Sequence, residues 1–140
     1  MSNQQSSESV AKPQNSVVGL ALVLDLLLVL VFAITGRASH HLELSAFGVL
    51  ETAWPFFIGL WVGWAISRAW RHPLALWPIG IIIWLSTVLL GLGFRWLMNE
   101  GVPELAFAIV ATLTLALFLL GWRLIALLLR TLRRKPSSKN

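Results

Sequence analysis

Cysteine is absent from the 140-residue sequence. Disulfides, thiolate metal sites and cysteine nucleophiles are therefore excluded. Tyrosine is missing too, whereas tryptophan occurs eight times. Charge is scarce: 12% of the residues are Asp, Glu, Lys or Arg, against about 25% in an average soluble domain. A chain this poor in charge and 57% hydrophobic matches neither a disordered segment nor a soluble globule. Catalytic motifs are lacking as well. There is no glycine-rich phosphate loop, no Gly-x-Ser-x-Gly elbow and no His-Glu-x-x-His. Ser39-His40 is a dipeptide with no evident buried acid beside it. The sequence reads as that of a protein that is not an enzyme and carries no cofactor.

What the sequence does have is long apolar runs. Residues 17–35 hold a single charge, Asp25, and are long enough to cross the ~30 Å hydrocarbon layer as a helix. A second run begins at Thr52, and snorkelling of Arg68 lets it continue to Trp70. Residues 74–94 and 105–129 supply the third and fourth. Pro55 and Pro78 fall in the first turn or two of their runs, where proline is tolerated. The expectation is an all-α integral membrane four-helix bundle over residues 17–129. A polar tail, 1–16, is expected to be disordered, and a basic tail covers 130–140. The first run ends in Thr35-Gly36-Arg37 without a small-residue cleavage site, so it reads as a span, not a signal peptide.

The net charge of +5 sets orientation. Lys and Arg flanking the spans number eight on the side of the two tails and of the Arg68–Arg71 connection. The other side has two, Arg37 and Arg95. Both termini are expected in the cytoplasm of a multi-pass cell-membrane protein. A basic tail just past a span contacts anionic lipid, so the bilayer, and not nucleic acid, is the expected partner.

Several motifs occur together. Gly36-Arg37-x-Ser39-His40 follows the Asp-bearing first run, and Thr52-Ala53-Trp54-Pro55-Phe56 opens the second. Trp84-x-x-Thr87 lies in the third run, with Arg95 at its end, and Gly121-Trp122-Arg123 lies late in the fourth. This pattern resembles an uncharacterised family of small actinobacterial membrane proteins, domain of unknown function 3054, over about Val18 to Arg130. The resemblance implies a four-helix membrane domain in a bacterial plasma membrane. It implies no activity and no functional residue.

Helical spacing sorts the runs into faces. In the second, Pro55, Gly59, Gly63 and Ser67 form a small-residue ridge suited to close helix packing. Trp54, Phe57, Trp61, Trp64 and Arg68 fall opposite, facing lipid or a neighbouring subunit. Such a ridge suits a bundle that packs with itself, as a homo-oligomer, or with a larger membrane partner.

Asp25 carries the most information. It lies about 13 Å into its span at about 1.5 Å per residue, where a lone charge costs about 2.5–3.5 kcal/mol. Three readings compete: a structural ion pair with Arg123, a protonated hydrogen-bonded acid, and a proton or cation carrier. Arg123 lies at a similar depth in an antiparallel span, and pairing is the favoured hypothesis. The carrier reading would make the protein a small proton- or cation-coupled transporter acting as a homo-oligomer. At the other membrane face, Arg37, Ser39, His40 and Arg95 are candidate headgroup contacts. His40 and His41 point apart in either a strand or a helix, so no metal site is expected.

Overall fold

The computed structural model describes residues 2–39, 41–98 and 105–133, with side chains described from residue 15 on. Among them there is no strand. The described residues form four helices: α1 (Ser2–Ser39), α2 (Ala46–Ser67), α3 (Leu76–Met98) and α4 (Leu105–Arg133). All four are long and apolar enough to cross a membrane, the apolar part of α1 being Asn15–Ser39. At about 1.5 Å per residue the 22 residues of α2 extend about 33 Å. They alternate in direction, so the start of α1, the α2–α3 turn and the end of α4 share one end of the bundle. The end of α1, the start of α2, the end of α3 and the start of α4 share the other.

Helix limits differ from the expected spans for local reasons. α1 runs back to Ser2 through the tail for which the sequence predicts disorder. Elongating a formed helix is far easier than starting one. Helix α2 starts six residues before Thr52, because Ser45 caps it: its Oγ accepts from the Gly48 N–H at 3.1 Å. Pro55 therefore sits inside α2, not in its first turns. The same helix stops at Ser67, short of Trp70. Arg68 turns left-handed at φ 53°, and the Ala69 N–H closes onto the Trp64 carbonyl. In α3, Trp77 is extended at φ −123° and ψ 134°, so regular helix begins beyond it. Helix α4 contains one wide turn, Ala116–Leu120.

The tightest contact is between α2 and α3. A Cβ on Gly59 would lie 2.6 Å from the Ser86 carbonyl oxygen and 2.8 Å from the Thr87 Cα. One on Gly63 would lie 2.8 Å from the Ile83 Cα. Only glycine lets the two backbones come this close, and Ser86 Oγ then donates to the Gly59 carbonyl at 2.8 Å. Beyond the ridge, Phe56 fills the notch above Gly91 and meets Phe32 of α1 edge-on at 5.0 Å. Helix α4 joins through Trp84 Nε1, which donates to the Thr112 carbonyl at 3.0 Å. Each outer helix presents a buried stripe at every fourth residue: Ala21, Asp25, Val29 and Ala33 on α1, and Ala111, Leu115, Leu119 and Arg123 on α4. A regular helix rotates such a stripe by about 40° per step. The wide turn in α4 absorbs part of that rotation and keeps Arg123 in line with the core.

Candidate functional site: a buried carboxylate held by α2 and α4

Each stripe carries one charged residue, and the two meet. Asp25 and Arg123 are both 0% exposed, and Arg123 Nη2 lies 2.8 Å from Asp25 Oδ2. Nη1 donates to Oδ1 at 2.9 Å, so the pairing is bidentate. Two indoles complete the shell. Trp64 Nε1 of α2 donates to Oδ2 at 2.8 Å, and Trp122 Nε1 of α4 donates to Oδ1 at 2.8 Å. Each carboxylate oxygen thus accepts two hydrogen bonds.

The guanidinium is held as fully. Its Nε donates to the Pro73 carbonyl in the α2–α3 turn at 3.1 Å, and Nη1 also donates to the Leu119 carbonyl at 3.0 Å. Its carbon lies 4.5 Å from the centre of the Trp122 ring. Gly80 of α3 makes room for the stem, since a Cβ there would be 3.1 Å from Arg123 Cδ. Every helix contributes: α1 the carboxylate, α2 an indole, α3 the space for the stem, and α4 the guanidinium and a second indole. Among the described residues no buried side-chain nitrogen or oxygen lacks a partner. A charge taken out of water is tolerated under these conditions, when it is paired and its remaining lone pairs are satisfied.

One of these residues departs from the sequence expectations. Trp64, assigned to the lipid-facing side with Trp61, is 5% exposed, whereas Trp61 is 52% exposed. The reason is that α2 packs against α1 as well as α3, so the face beside the glycine ridge is also interior. The signal for it was the donor requirement of Asp25: a buried carboxylate needs N–H groups, and indole supplies them on an otherwise apolar ring. Trp122, which the sequence places only within the Gly121-Trp122-Arg123 motif, is likewise part of the shell.

The other candidates lie at the opposite end. Arg37 Nε donates to the Glu43 carbonyl at 2.8 Å and Nη1 donates to Thr52 Oγ1 at 3.1 Å, tying α1 to α2. Arg95 rests over the Phe107 ring at 4.9 Å. Arg37 and Arg95 line one cleft of about 390 Å³. Ser39 is not part of it: its Oγ donates to the Gly36 carbonyl at the end of α1. His40 lies outside the described residues. Among those residues no three His, Asp or Glu side chains gather.

No curated protein and no solved structure matches the chain. A family model described as a protein of unknown function, DUF3054, matches residues 22–126 and takes in both Asp25 and Arg123. With three quarters of its length inside that match, the chain belongs to the DUF3054 family.

Proposed function

We propose that this is a small non-enzymatic integral membrane protein of the cell membrane, both termini cytoplasmic, whose bundle serves as a packing or partner-binding module. The observation that carries this reading is the closed shell around Asp25. A carrier carboxylate has to release its counter-ion and meet water or a travelling cation at some stage. Here both oxygens are doubly occupied by groups from helices α2 and α4, and the pair is shut off from solvent. Such an arrangement suits holding helices in register better than a cycle of release and rebinding. The bilayer is the first partner, met by an outer face that includes Leu20, Val23, Leu27 and Val31 of α1. A second copy or a larger membrane protein is a further partner.

The test is reconstitution of the purified chain into vesicles containing a trapped pH indicator. The expected outcome is no proton-linked flux above protein-free vesicles under an imposed gradient or potential. A flux that Asp25→Asn abolishes while the protein stays folded would replace this reading with the transporter.

A further inference from the structure

At the end of the bundle away from the Asp25 network, α1, α2, α3 and Leu42 of the α1–α2 connection line the cleft of about 390 Å³, near the lower end of the range for ligand pockets, about 300–1,000 Å³. Its lining combines three charged groups with an aromatic wall: Arg37, Arg95 and Glu51, with Thr52, Trp54 and Phe94. Both guanidinium groups are held before any ligand arrives. Arg37 is fixed by the Glu43 carbonyl and Thr52 and lies flat against Gly48, where a Cβ would come within 2.6 Å of its Nη2. Arg95 is steadied on the Phe107 ring. Trp54 and Phe94 meet at a tilt of 44° with ring centres 5.8 Å apart and form the apolar wall, further from the helix ends than Glu51, Thr52 and Arg95.

We propose that this cleft binds the headgroup of an aminophospholipid, its phosphodiester facing Arg95 and Arg37 and its ammonium facing Glu51. The charges decide the class. Two guanidiniums suit a phosphate oxygen pair, and Glu51, the one carboxylate among the described lining residues, suits a cation a few bonds away. A simple anion would use the first and be repelled by the second. The aromatic wall takes the glycerol and the upper acyl chains, which places the ligand in a lipid leaflet. The inference rests on the bundle lying in a bilayer, and retention of the chain in carbonate-washed membranes checks that reading separately.

The experiment uses the full chain purified in detergent and titrated with dioleoylphosphatidylethanolamine or dioleoylphosphatidylglycerol. Bound lipid is read by native mass spectrometry, and binding of radiolabelled inorganic phosphate by equilibrium dialysis. Phosphatidylethanolamine is expected to bind several-fold more tightly than phosphatidylglycerol. Arg95→Gln should weaken it about tenfold, as expected for loss of one charge-assisted contact. Glu51→Gln should erase the preference between the two lipids. Arg95 is the residue to vary because Arg37 also ties α1 to α2, and helical circular dichroism of each variant verifies that it is folded. Equal lipid retention by wild type and Arg95→Gln would overturn the site. Phosphatidylglycerol binding as well as phosphatidylethanolamine would overturn the role of Glu51. Inorganic phosphate binding as tightly as lipid would make it a free-anion site instead.

Discussion

Replacing Asp25 with Ala leaves the Arg123 guanidinium buried with two backbone carbonyls and no counter-charge. Stranding one member of a buried pair costs about 3–5 kcal/mol, and Asp25→Ala is expected to lower the folded yield accordingly. Adding Arg123→Leu removes the stranded charge and should recover much of the loss. Denaturant unfolding in detergent, run as a double-mutant cycle, measures the coupling, and additive losses would show that the pair holds nothing together. Trp64→Phe keeps most of the ring and deletes one donor to Oδ2, which still has Arg123. It should cost about 1–3 kcal/mol in the same assay. At this scale the ionic partners were legible in the sequence. A lone acid deep in an apolar run needs a partner, and one arginine sits at matching depth. The indole donors were not legible, because periodicity places Trp64 on a face of α2 without saying how many neighbours that helix has.

Between elements, the α2–α3 crossing is limited by backbone, not by side chains. The atoms a Cβ at Gly59 or Gly63 would strike are the Ser86 carbonyl and the Thr87 and Ile83 Cα atoms. These cannot swing aside, so the helices must separate. Gly59→Leu with Gly63→Leu is expected to abolish the folded bundle, seen as loss of the monodisperse peak on size exclusion. A double variant eluting like wild type would place the ridge away from the crossing. The ridge was readable as a four-residue repeat of small side chains, whereas the helix ends were not. Ser45 as a cap and Arg68 in a left-handed turn are conformational choices, and hydropathy is blind to them. Arg68 at φ 53° also offers a gain. Glycine avoids the Cβ crowding there, so Arg68→Gly should raise stability by about 0.5–1 kcal/mol, read as a higher midpoint of thermal unfolding.

For the molecule as a whole, four apolar runs were enough to predict four helices, because span length is set by bilayer thickness and not by any particular contact. The Lys and Arg asymmetry predicts the orientation. Reporter fusions at Asn99 and after Asn140 are expected to sit on opposite sides of the membrane, with the latter cytoplasmic. An externally accessible C-terminal reporter would invert the bundle. The inversion would also move the Arg37–Arg95 cleft to the inner leaflet.

The buried pair also imposes an order on biosynthesis. Asp25 and Arg123 are 98 positions apart. At a synthesis rate of about 5–20 residues per second, the acid leaves the ribosome roughly 5–20 s before the base that neutralises it. During that interval α1 has no counter-charge among the helices already made. Until α4 arrives, α1 must wait beside the insertion machinery. A nascent chain arrested before α4 should therefore remain crosslinkable to the insertase through α1. Release of α4 should end that contact, and replacing Asp25 with Leu should make it dispensable from the start.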